Sequence, residues 1–167
     1  MLKITCILII VLNLFSCVNR TEYGRRRLLH IGGNKFGKDS IVYNFIDTAK
    51  IYEIVSVVSR SDNKPLESMN KTYLKFYENG RVGTFYSFDK NDLNSLNPRK
   101  AEIGYYKHNG ENLEIKTFFE HVQGGGWMKE NLIKSDHDTL FFVTDHILSK
   151  YIMRSLGKRF LIYKPDW

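Results

Sequence analysis

Two Asn-Gly dipeptides, Asn79-Gly80 and Asn109-Gly110, each lie between runs of alternating apolar and polar residues. Two-residue hairpin loops need positive φ at both central positions, and Asn and Gly accept it. The pattern is therefore the strongest short-range mark of an antiparallel hairpin. The first hairpin is expected to join 72–78 to 81–88. A two-residue loop sets Glu78 opposite Arg81, Leu74 opposite Phe85 and Tyr73 opposite Tyr86. Leu74, Phe76 and Phe85 then share one face, with Tyr73, Tyr77, Val82 and Tyr86 on the other. The second hairpin joins 101–107 to 112–119 through a turn at 108–111, with Tyr106, Leu113 and Ile115 on one face and Tyr105 and Glu114 on the other. Cross-strand pairs of this kind stabilise antiparallel sheets.

Further strands are expected at 41–46, 51–59, 127–134, 139–144 and 159–164, where β-branched and aromatic residues run between polar breaks. One segment departs from the pattern. Within 145–157 the residues Ile147, Leu148, Tyr151, Ile152 and Leu156 recur at helical spacing, Asp145 suits an N-cap and Gly157 a stop. A short helix near the C-terminus is expected there. The strands together describe an all-β, antiparallel up-and-down meander, which removes its exposed edges by closing into a barrel; a β-sandwich is the alternative.

The chain ahead of this domain has a different composition. Lys3 is followed by an apolar run from Ile4 to Leu14, the anatomy of a secretory signal. As a helix this run rises about 16 Å, roughly half a bilayer core, which is short for a permanent span. It ends at Leu14-Phe15-Ser16-Cys17, which resembles the lipobox of bacterial lipoproteins. That resemblance implies a signal peptide over 1–16 and an acylated Cys17 as the first mature residue. The chain has two cysteines, Cys6 and Cys17. An internal disulfide or a cysteine-based metal site is therefore not expected in the mature domain. Several acyl chains on one cysteine anchor stably, so a membrane is an expected partner. The expected place is the cell envelope, on the outer membrane facing the periplasm.

Residues 17–40 read as a flexible basic tether ahead of the barrel domain at 41–167. About twenty such residues would span roughly 25 Å. Arg20, Arg25, Arg26, Arg27, Lys35 and Lys38 cluster here. They suit either a solvated tether or contact with anionic head groups, worth about 1 kcal/mol per charge. No nucleic-acid partner is expected, because an exported chain lacking a basic–aromatic motif is a poor fit for one.

The domain also resembles the small lipocalin-like lipoproteins of the Bacteroidota. The resemblance is carried by Lys50-Ile-Tyr-Glu-Ile-Val-Ser-Val-Val, Tyr73-Leu-Lys-Phe-Tyr-Glu-Asn-Gly-Arg-Val, Asn131-Leu-Ile-Lys-Ser-Asp-His-Asp-Thr-Leu-Phe-Phe and Arg159-Phe-Leu-Ile-Tyr-Lys. It implies a lipocalin-like barrel with an apolar cavity and places Tyr52 where an aromatic caps the barrel floor.

Leu74, Phe76, Phe85, Tyr106, Leu113 and Ile115 are the expected lining of that cavity; Gly124-Gly125-Gly126 reads as a mobile mouth loop, and Trp127 after it is a candidate ligand-binding lid, with core packing or exposure at the rim as the favoured alternative. The five histidines lack the helical spacing of a zinc motif. Asp136-His137-Asp138 reads as a polar turn, and Glu114 and Glu130 as strand carboxylates that either enter the barrel or face solvent. No nucleophile elbow or carboxylate pair is legible, so a non-enzymatic role without a cofactor or metal is expected. The leading role is binding of a small apolar or amphipathic ligand. The alternative is a structural or adaptor lipoprotein that docks on an envelope protein complex. A hollow lumen favours the first and a filled lumen the second.

Overall fold

Both Asn-Gly segments turn the chain, and each turn carries a glycine in the left-handed region, Gly80 at φ 76° and Gly110 at φ 97°. The computed structural model describes residues 20–27, 40–66, 71–78, 80–121, 124–165 and 167. The signal segment and Cys17 lie outside them, as do Lys35 and Lys38. Eight strands follow in chain order: β1 (Lys50–Ser59), β2 (Tyr73–Tyr77), β3 (Arg81–Phe85), β4 (Glu102–His108), β5 (Leu113–His121), β6 (Gly124–Asp136), β7 (Thr139–Val143) and β8 (Ile147–Ser155). Each pairs antiparallel with its neighbours, and β8 returns to β1 to close a barrel. The fold is the expected all-β meander, and its eight-stranded closure is compatible with a lipocalin-like architecture.

Alternation along the strands divides the apolar residues between the lumen and an outer layer. Tyr52, Phe76, Tyr106, Leu113, Ile115 and Phe142, at 0–4% exposure, belong to one continuous lumen cluster. Edge-on ring contacts tie Phe76 to Tyr52 at 5.1 Å and to Tyr106 at 5.3 Å. Burial of side chains this large contributes about 2–3 kcal/mol each, so the lumen cluster dominates stability. A 3-10 helix at Ser40–Asn44 adds Val42 to the same cluster, and Ile46 follows it in. Residues 41–46 thus close one end of the barrel instead of forming the expected strand. Tyr52 sits at this floor, where its hydroxyl accepts the Asp47 amide at 2.6 Å.

The second, outer cluster holds Ile51, Tyr73, Phe85, Leu96, Ala101 and Phe160. Phe85 belongs here because the first hairpin loop has three residues, not two. Tyr77 pairs with Arg81, Leu74 with Thr84 and Tyr73 with Phe85. A shift of one residue moves a whole strand to its opposite face, so Val82 enters the lumen and Phe85 leaves it. The second hairpin also differs from expectation, with His108 opposite Leu113 and Tyr106 opposite Ile115. Its shift is two residues, and Tyr106, Leu113 and Ile115 keep their shared face.

The expected helix at 145–157 is strand β8, paired with β1 from Lys50–Ser155 to Ser59–Ile147. Without it β1 and β7 would each expose an unpaired edge. Residues 159–164 are not a strand; a 3-10 helix at Lys158–Phe160 seats Phe160 in the outer cluster. Gly124-Gly125-Gly126 opens β6 rather than a mouth loop. A Cβ at Gly125 would lie 2.4 Å from the Phe118 ring, so glycine permits this close pairing.

Part of the expected tether is docked on the barrel. Arg20 and Arg26 form a bridge around a turn at Gly24, and Thr21 donates its hydroxyl to the Arg99 carbonyl at 2.8 Å. Arg20 and Arg26 meet Glu120 at 2.6 and 2.8 Å, and Arg25 meets Glu102 at 2.5 Å. Arg27 donates to Pro98 and Ala101 carbonyls. These four guanidinium groups engage the barrel, because acceptors on the β3–β4 connection, β4 and β5 lie within their reach.

Candidate functional site

Most of the residues expected to line a lumen pocket meet inside the barrel. Leu74, Phe76, Tyr106, Leu113 and Ile115 come together as anticipated, but they pack against one another in the barrel core. Phe85 is on the outside. Trp127 also faces outward, half-buried, beside Phe118 at 5.5 Å and Tyr105 at 5.8 Å. Lys116 lies over the Trp127 ring and Arg81 over that of Tyr105, at 5.6 and 4.5 Å. Trp127 is part of an outer aromatic strip crossed by cations.

A crevice of about 360 Å³ lies elsewhere, between the end of β2, the chain entering β1 and the C-terminal segment. Ala49, Phe76, Tyr77, Leu161, Tyr163 and Pro165 give it largely apolar walls, and Thr48, Lys75, Glu78 and Lys164 supply polar groups. Lys75 is central to it. The β2 run Tyr-Leu-Lys-Phe-Tyr is buried throughout, and Lys75 is only 4% exposed. Alternation turns Lys75 outward with Tyr73 and Tyr77, and the C-terminal segment covers that face. Its amine donates to the Thr48 carbonyl and, at 3.2 Å, to the Phe76 carbonyl. Burial pulls its pKa down to about 8, against the opposing pull of the Asp47 and Glu78 charges. A lysine inside an apolar pentapeptide is a legible oddity, but nothing in the local sequence says what covers it.

The lumen holds a second perturbed group. Glu130 pairs with Ile115 on β5, faces inward and is 1% exposed. Neither carboxyl oxygen reaches a hydrogen-bond partner. Burial raises its pKa to about 7, and the nearby Ser149 hydroxyl offsets this only in part. Glu114 takes the opposite course on the outer face. Burial pushes its pKa up, but Lys129 at 2.8 Å and Lys107 at 3.5 Å outweigh that and hold it below the usual carboxylate range. Glu130 therefore supplies an isolated acid and Glu114 a neutralised one, and the register of β6 separates the two roles.

Asp136-His137-Asp138 forms the β6–β7 turn, with His137 at φ 51° and 2.8 Å from the Asp136 carboxylate. Among the described residues no group of three or more His, Cys, Asp or Glu is placed to hold a metal ion. The Lys75 crevice combines an apolar wall for a hydrocarbon body with an amine for a polar end. No family model matches the chain, and neither a curated protein nor a solved structure matches it.

Proposed function

We propose that this is a lipid-anchored envelope protein whose barrel domain holds a small amphipathic ligand in the Lys75 crevice. The carrying observation is the crevice itself. Its volume of about 360 Å³ lies within the range of small-molecule sites, and apolar walls around a few polar groups are their usual lining. The ligand's apolar part packs on Leu161, Tyr163 and Pro165, and its polar end meets the Lys75 amine. The residues that the lipocalin-like resemblance places around a deeper cavity are packed against one another in the core, which is why the outer crevice is preferred as the site.

Anchoring rests on the lipobox-like Leu14-Phe15-Ser16-Cys17. Three residues reach at most about 11 Å from Cys17 to Arg20, and Arg20 is held on Glu120. An acylated Cys17 would therefore keep the barrel close against the head groups, with the Glu120 side toward them. Cys17→Ser is expected to end incorporation of labelled fatty acid and release the protein from the membrane fraction. Continued labelling would remove the anchor.

Ligand binding is tested with an anionic fluorescent amphipath, anilinonaphthalene sulfonate, and the chain from Val18 to Trp167. Saturable enhancement is expected. Ala49→Trp, which fills the crevice rim, should weaken it by about tenfold, whereas Ile115→Val in the lumen should not. The reverse pattern would return the site to the lumen. Absence of binding, together with recovery of one stoichiometric envelope protein, would favour the adaptor role.

A further inference from the structure

We propose that Lys75 is a nucleophile that captures small apolar aldehydes as imines within its crevice. The proposal rests on the crevice being a ligand site and names the chemistry of that ligand. Three features of the geometry carry it. Lys75 lines an apolar crevice of about 360 Å³ large enough for a small organic carbonyl compound. Its side chain is 4% exposed, so the amine is shielded from bulk water. Its nitrogen donates to two fixed backbone carbonyls, those of Thr48 and Phe76.

Those two acceptors suit the neutral amine. An uncharged amine has two hydrogens, and the two carbonyls take both, which leaves the lone pair for an occupant of the crevice. Desolvation in an apolar pocket is one of the established ways to activate a lysine nucleophile. The lowered proton affinity described above adds to this, since more of the neutral form exists near neutral pH than for a lysine in water. An aldehyde is favoured over a carboxylate as occupant, because the two carbonyls take the hydrogens of the neutral amine and its lone pair is what remains to meet an electrophile.

The step is a condensation. The Lys75 nitrogen adds to the carbonyl carbon, and the carbonyl oxygen takes a proton to give a carbinolamine. The hydroxyl then leaves as water, carrying away both original amine hydrogens, and a C=N double bond remains. No oxidant or reductant is consumed. Glu78 lines the same crevice and supplies a carboxyl group to relay the proton between nitrogen and oxygen. The hydrocarbon part of the aldehyde lies against Leu161, Tyr163 and Pro165.

The test treats the full chain with benzaldehyde and sodium cyanoborohydride, which reduces an imine to a stable benzyl amine, and maps the adduct to each lysine by peptide mass. At pH 7.5, Lys75 is expected to acquire the label about tenfold faster than the exposed Lys64 and Lys134. Ala49→Trp should slow labelling at Lys75 by a similar factor and leave Lys64 unchanged, which separates loss of the crevice from loss of the fold. Lys75 labelling no faster than Lys64 overturns the proposal. So does fast labelling that Ala49→Trp leaves unaltered. Dye binding that persists beside an unlabelled Lys75 would leave the crevice as a non-covalent site, while loss of both would remove the crevice reading as well.

Discussion

Glu130→Gln is expected to stabilise the protein by about 3 kcal/mol above pH 8, and by little or nothing near pH 4. The folded pKa of Glu130 stands at about 7 against an ordinary 4.5, because burial disfavours the charged carboxylate and the nearby Ser149 hydroxyl offsets this only in part. A group whose folded pKa is raised favours the fold most when protonated. The native protein is therefore most stable, as far as this group is concerned, below pH 4.5. That contribution is lost as the pH rises through 7, and the loss levels off once Glu130 is ionised in both states. Glutamine keeps the shape and removes the ionisation, so its denaturation midpoint should lack this slope. Parallel curves for the two proteins between pH 4 and 8 would mean that Glu130 is hydrated.

Arg25→Met is expected to cost about 3 kcal/mol in urea denaturation. Arg25 is the partner of Glu102, which is 1% exposed on its side chain and paired at 2.5 Å. Removing the guanidinium leaves a buried carboxylate uncompensated, and it also removes the donor to the Lys100 carbonyl and the contact over Tyr86. Arg25 itself is 30% exposed, which places the effect toward the lower end for buried pairs. Adding Glu102→Gln to Arg25→Met should restore most of the loss, because the stranded charge is then gone. A change below about 0.5 kcal/mol in Arg25→Met would mean that residues 20–27 are a tether after all, and that Glu102 finds another route to water.

Both effects arise from residues that share no local signal. Glu130 was recognisable as a strand carboxylate, but its direction depends on register with β5 and β7. Arg25 and Glu102 are far apart in the chain, and so are Lys75 and the crevice-lining Tyr163. Local composition described 17–40 as basic and aperiodic, which is equally true of a free linker and of a segment whose arginines find carboxylates on a barrel wall.

The sequence by itself determined the all-β class, the antiparallel order around the two Asn-Gly turns, and the common face of Tyr106, Leu113 and Ile115. Turn chemistry and a period of two act over a few residues, and no distant contact is needed to enforce them. Tertiary structure alone decided which face is the lumen for Phe85, since a loop of three residues instead of two inverts β3. It also decided that 147–155 is a strand. Ile147, Leu148, Tyr151 and Ile152 satisfy helical spacing, yet both faces of β8 are apolar enough for a sheet, and the edges of β1 and β7 require a partner there. The crevice was decided last of all, because it exists only where the C-terminal segment crosses an outward-facing lysine. Its walls come from three separate parts of the chain, and closure of the barrel is what brings them together.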